Sequence, residues 1–191
     1  MLDFECVLNT GMNHKDLLMT LQIETYYRLP SLYCEVYQEP EGRGKLFWIY
    51  SLQYDNRFIQ LIQYFGDTYN IPKGRGIEEI FTNPHFVKEY QKANPAQCVI
   101  IPAEKMAIFH KINNEGLPKD VHYPSGCDGH EYLLKTYGKT NEEYRSWIEI
   151  PKEWNLFAEL TETLIEVAGW DKSYDCQFRG NAIKDKNDNA V

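Results

Sequence analysis

Polar and apolar residues alternate over 2-LDFECVL-8, where Leu2, Phe4, Cys6 and Leu8 share one side of an extended chain, the pattern of a half-buried strand. The next segment, 14-HKDLLMTLQIETYYRL-29, fits two periods. Leu17, Leu18 and Leu21 suit a helix, whereas Leu21, Ile23 and Thr25 suit a strand. The reading is a short helix that hands over to a strand. The stretches 31-SLYCEVYQ-38 and 45-KLFWIYSLQ-53 flank EPEGRG, whose proline and two glycines are turn chemistry, and together they predict a β-hairpin. After Asp55 the period lengthens: Phe58, Ile59, Leu61, Ile62 and Phe65 recur at helical spacing, until 70-NIPKGRG-76 breaks the helix.

Short helices are expected over 77–81 and 84–93, the second with Asn83 as its cap and Pro84 in its first turn. The apolar run 97-QCVIIP-102 predicts a buried strand, which leads into 103-AEKMAIFHKIN-113 with a helical His110. From there onward the pattern predicts helices. Asp128 and Glu131 have the spacing of a capping box ahead of 132-YLLKTY-137, with Gly138 as the stop. Thr140 and Glu143 have the same spacing for 141–150. Pro151 then opens 152-KEWNLFAELTETLIEVA-168, which Gly169 closes. Along that helix Leu156, Leu160, Leu164 and Val167 form one stripe, opposite Glu159, Glu162 and Glu166. The fold class is therefore α+β: a small antiparallel sheet in the N-terminal part, with its hairpin near 31–53, packed with a helical C-terminal part. Residues 1–180 read as a single domain, and 181–191 as a flexible polar tail.

Composition narrows the classes. The chain has 191 residues, 43% hydrophobic and 25% charged, which is ordinary for a globular core and excludes wholesale disorder. Net charge is −8, which disfavours a broad phosphate-neutralising surface for nucleic acid. The excess is local: between Glu142 and Glu166 seven acids face two bases. Five widely spread cysteines, without a C-x-x-C pair, predict free thiols in a reducing, cytoplasmic setting. No apolar run approaches a membrane span, so a soluble chain without a membrane partner is expected.

Three places carry candidate chemistry. The densest is 121-VHYPSGCDGHEYLLK-135. A capping box accounts for Asp128, Glu131 and the glycines, which makes the stretch a helix start first. It leaves His122, Cys127 and His130 unexplained. A thiol ahead of a helix N-terminus and beside a histidine can become a thiolate nucleophile, and the same three residues, with Cys98 or Cys176 from elsewhere, offer nitrogen and sulfur ligands to zinc. No cofactor is otherwise expected. The second place is the pair 42-GRGK-45 and 73-KGRG-76, where Arg43, Lys45, Lys73 and Arg75 could hold an anion; with Trp48 and Tyr50 beside them they could grip a single strand by charge and stacking. Neither segment matches a nucleotide-binding glycine pattern. The third is the acidic stretch, with Trp147, Trp154 and Trp170 in or next to it.

Two function classes follow. The leading one is an acidic protein-interaction module that inhibits a partner by occluding its basic, nucleic-acid-binding surface, using Glu153, Glu159, Glu162 and Glu166 with Trp147 or Trp154 as anchors. The other is a thiol- or zinc-dependent hydrolase or transferase centred on Cys127, His130 and His122, so the sequence leaves catalysis open. The partner's identity and the oligomeric state are not encoded in any motif.

Overall fold

The computed structural model describes residues 8, 10–25, 30–51, 60, 63, 64, 66–68, 83–119, 130–139, 141–147 and 150–174. Its elements are β1 (Leu17–Thr25), β2 (Leu32–Gln38), β3 (Gly44–Tyr50), α1 (Pro84–Ala93), β4 (Gln97–Ile101), α2 (Ala107–Glu115), β5 (His130–Tyr137), β6 (Asn141–Trp147) and α3 (Asn155–Ala168). The six strands form one antiparallel sheet in the order β4-β3-β2-β1-β5-β6, and the fold is α+β.

The expected hairpin is β2–β3, paired from Leu32 with Tyr50 to Gln38 with Gly44. Its turn runs through Pro40 and needs left-handed backbone at two consecutive residues, Glu41 (φ 63°) and Gly42 (φ 75°). The first is a strained conformation for a residue with a Cβ. Helix α1 has the expected bounds, with Asn83 Oδ1 accepting from the His85 amide at 2.9 Å and Pro84 at the first position. Helix α3 follows a 3-10 turn at Lys152–Trp154 and stops at Gly169, whose φ of 69° a Cβ would disfavour.

Elsewhere the structure departs from the sequence pattern. The helix expected after His14 is only a 3-10 turn, His14–Asp16, before β1 begins. Near the middle of the sheet β1 buries consecutive residues, Met19, Thr20 and Leu21, so its period of two is blurred. The helices expected over 132–137 and 141–150 are strands β5 and β6, joined through Gly138. In β5 alternate residues His130, Tyr132, Leu134 and Thr136 are buried, as a strand requires. Glu131 pairs with Glu24 in the sheet rather than capping a helix. Strand β4 is short and lies at the sheet edge with Gln97, Cys98 and Ile100 exposed, so the run expected to be buried is covered on one side only. Of the helix expected after Asp55, residues 60, 63, 64 and 66–68 are helical; the rest of it, the strand expected over 2–8 apart from Leu8, which is buried but not in a strand, the helix over 77–81 and the tail 181–191 lie outside the described residues.

One sheet face carries the core. Met19, Leu21 and Ile23 of β1, Leu32, Cys34 and Val36 of β2, Leu46 and Trp48 of β3, and Tyr132 and Leu134 of β5 pack beneath α2 and α3. Helix α2 lies against β1 and β5, and α3 lies against α2 and β4. Phe157 meets Tyr132 edge-on at 6.2 Å, and Trp154 meets Tyr144 edge-on at 5.7 Å. Each such side chain taken out of water contributes about 1.5–3 kcal/mol before chain entropy is subtracted. Two tyrosines fasten the end of the described chain: Tyr132 donates to the Tyr174 carbonyl and Tyr174 donates to the Pro30 carbonyl, each at 2.6 Å. No helix among the described residues is long and apolar enough to cross a membrane.

Candidate functional site

The outer surface of α3 follows from its own sequence. Phe157, Ala158, Leu160, Thr161, Leu164 and Ile165 are buried, a wider stripe than the leucine pattern predicted, and Leu156 and Val167 sit at its margins rather than at its centre. That leaves Glu159, Glu162 and Glu166, spaced i, i+3, i+7, on the exposed side, with Glu153 exposed in the turn just before the helix. From Glu159 to Glu166 the row runs about 10 Å along the axis. Only Glu166 of the four has an ion-pair partner among the described residues, Lys105. No basic residue occupies the last turn of α3, so nothing on the helix itself offsets the negative end of its dipole.

The remaining acids of the same sequence stretch go elsewhere. Glu142 and Glu143 are neighbours on β6 and therefore point to opposite faces; Glu142 pairs with Lys119 at 2.7 Å, and Glu143 lies 3.6 Å from Arg145. Glu149 lies outside the described residues. The tryptophans divide too. Trp154 is a core residue, 3% exposed, whose indole donates to the Pro118 carbonyl at 2.7 Å. Trp147 pairs with Glu131, and so falls on the sheet face away from α3. Neither can stand beside the α3 glutamates as an anchor. Leu156, Thr163 and Val167, half-exposed next to them, provide the apolar border instead.

The histidine–cysteine stretch is placed only in part. His122 and Cys127 lie outside the described residues. His130 begins β5 opposite Thr25, is 5% exposed, and meets Tyr132 edge-on at 6.3 Å. Cys98, proposed as a zinc partner, sits on β4. Four strand spacings separate β4 from β5, about 19 Å, far beyond a shared metal. Cys176 is outside the described residues, among which no group of three His, Cys, Asp or Glu side chains is placed to hold a metal.

Among the described residues, Arg43 and Lys45 do not form a stacking groove with Trp48 and Tyr50. Lys45 lies over the Phe47 ring at 5.0 Å, and Arg43 pairs with Glu41 at 3.3 Å. Trp48 and Tyr50 project from the other face of β3: Trp48 meets Trp170 edge-on at 6.1 Å, and Tyr50 stacks on Tyr174 at 6.4 Å. Lys45 and the two rings expected to stack with it are thus on opposite sides of one strand. Lys73 and Arg75 lie outside the described residues.

Two arrangements were not anticipated. On the far face of β2, the buried carboxylate of Glu35 accepts from Tyr33 at 3.0 Å and from Tyr37 at 2.6 Å. Thr10 donates in turn to the Tyr37 hydroxyl at 3.1 Å. Burial and then the bond to Glu35 push the Tyr37 hydroxyl up to about 12. The signal was present in 33-YCEVY-37, where Tyr, Glu and Tyr occupy alternate positions and so share a face. The second is the pair Glu24 and Glu131, directly opposite on β1 and β5, with Gln22 donating to Glu24 at 2.6 Å and Arg145 lying 3.1 Å from Glu131. Burial and the Glu131 charge raise the Glu24 carboxyl above its ordinary range. That pairing was invisible while 132–137 and 141–150 read as helices.

Compared with known proteins, the chain matches no family model, and no curated sequence or solved structure matches it significantly.

Proposed function

We propose that the chain is a protein-binding module that uses the outer side of α3, with Glu153, Glu159, Glu162 and Glu166 as its contact residues, and that it inhibits a partner by covering a basic, nucleic-acid-binding surface. The observation that carries this reading is the set of three exposed glutamates, Glu153, Glu159 and Glu162, without a described counter-charge. Like charges at helical spacing with no partner cost the fold something, and a basic surface would supply what they lack. The apolar contact would come from Leu156 and Val167, since Trp154 is in the core and Trp147 is on the other side of the sheet. The hydrolase or transferase alternative rests mainly on His122 and Cys127, and the core position of His130 lends it no support.

The test is displacement of a fluorescent DNA duplex from a lysine-rich nucleic-acid-binding domain. Wild-type protein should displace it, less so as salt rises. The triple variant Glu153→Lys/Glu159→Lys/Glu162→Lys should be about tenfold weaker or worse, with a flatter salt dependence. Glu166 stays in place so that its pairing with Lys105 still supports the fold. No displacement by the wild type, or equal displacement by a folded triple variant, would sink the proposal.

A further inference from the structure

The sheet is open at two edges among the described residues, β6 and β4. An edge strand presents unpaired backbone N–H and C=O groups, and natural proteins guard such edges with charge. Strand β6 follows that rule, carrying Glu142, Glu143 and Arg145. Strand β4 does not. The residues from Ala93 to Pro102 include no charged side chain, and QCVII is rich in the β-branched residues that favour pairing. Cys98 and Ile100 project on the same face, next to Phe47 and Lys45 of β3, and both are exposed. Ile100, at 46%, is one of two large hydrophobic side chains exposed among the described residues.

We propose that β4 is the seam of a homodimer, in which the same strand of a second copy pairs with it antiparallel and continues the sheet. Charge argues for a second copy as the occupant. A basic partner is drawn to carboxylates, which this strip lacks. A chain carrying −8 can approach its own copy closely only where neither brings charge, and β4 is such a place. Antiparallel pairing of a strand with itself also needs no second complementary surface, because a twofold axis makes the contact reciprocal. With the axis at Val99, Cys98 lies opposite Ile100 of the second copy and Ile100 opposite its Cys98. The four side chains merge into one apolar patch on the far face, while the two Val99 side chains meet on the face where each already borders its own core. A five-residue edge buries less than the roughly 1,600 Å² of a standard interface, so the dimer is weak and concentration-dependent.

Sedimentation velocity under reducing conditions, over a dilution series reaching about millimolar, should show a reversible monomer–dimer equilibrium. Ile100→Lys should raise the dissociation constant about tenfold or more, and Ile100→Thr by less, with circular dichroism unchanged because the side chain is exposed. Ile100→Cys adds a check of register. Opposed residues in an antiparallel pair lie about 4.5–5.5 Å apart at Cα, within disulfide reach, so mild oxidation should give a covalent dimer that Cys98→Ser abolishes. A monomer at every concentration, a dimer indifferent to Ile100→Lys, or cross-linking that persists without Cys98 would each overturn the proposal.

Discussion

Glu35 is the side chain whose surroundings say most about the far face of the sheet. It is 7% exposed, and a carboxylate that deep is retained only with partners that satisfy its oxygens. Tyr33 and Tyr37 reach it because residues two apart on a strand share a face, and Thr10 extends the chain of bonds to the segment ahead of β1. The geometry has a consequence at high pH. Tyr37 holds its proton more tightly in the folded state, up to about 12 against an ordinary value of 10, so the stability this brings is complete below about pH 10 and is lost as pH climbs through about 12. Tyr37→Phe should therefore do two things in urea titrations. It should lower stability at neutral pH by about 1–3 kcal/mol, because Glu35 loses a donor, and it should make the decline above pH 10 shallower. An alkaline limb unchanged in the variant would remove the role assigned to Tyr37. Glu35→Gln tests the other partner: with the carboxylate gone, the phenol absorbance of Tyr37 should titrate at lower pH than in the wild type.

At the scale of elements, the ends of helices show best why this fold closes where it does. Helix α2 stops at Gly116, whose φ is 74°, and a Cβ there would come within 2.7 Å of the Tyr144 hydroxyl. That hydroxyl accepts from the Leu117 amide at 2.9 Å, so Tyr144 of β6 caps the chain as it leaves α2. Gly116→Ala should cost about 1–3 kcal/mol in denaturant unfolding, combining a backbone (φ 74°, ψ −173°) that a Cβ disfavours with the clash, whereas Gly169→Ala meets open space in the milder left-handed helical conformation and should cost less. Equal losses at the two positions would rule out the clash. The same scale explains what the sequence could reveal. The β2–β3 turn was legible because Pro40 and Gly42 punctuate it, and α1 because Asn83 and Pro84 mark its start. Strand β1 was not, since a central strand buries residues on both faces and loses its alternation. Strands β5 and β6 were misread because Asp128–Glu131 and Thr140–Glu143 have capping-box spacing by coincidence, while the alternation of Tyr132, Leu134 and Thr136 went unweighted. The α3 glutamates were visible because a helical period is a local property. The Glu24–Glu131 pair was not, because only the pairing of β1 with β5 creates it.

For the molecule as a whole, the distribution of charge sets stability against the proposed binding. Glu159, Glu162 and Glu166 repel one another at i+3 and i+4 spacing, and Glu166 lies in the last turn of α3, where the dipole disfavours an acid and Lys105 pairs with it. A chain selected only to fold would gain by replacing the middle glutamate. Glu162→Lys should accordingly stabilise the protein by about 0.5–1 kcal/mol in urea at low salt, because two repulsive neighbours become attractive ones. High salt should erase most of that gain, since exposed charges are screened. The same substitution should weaken binding to a basic partner. A variant more stable yet poorer at binding is the signature of residues kept for recognition at the expense of the fold. If Glu162→Lys instead destabilised the protein at low salt, the glutamate would belong to the fold's own electrostatics, and α3 would lose its claim as the contact surface. The β4 edge stands apart from this balance. The strand itself carries no charge, so self-association should survive in Glu162→Lys, and be if anything tighter as the net negative charge falls, whereas binding to a basic partner should weaken; opposite responses in one variant separate the two surfaces.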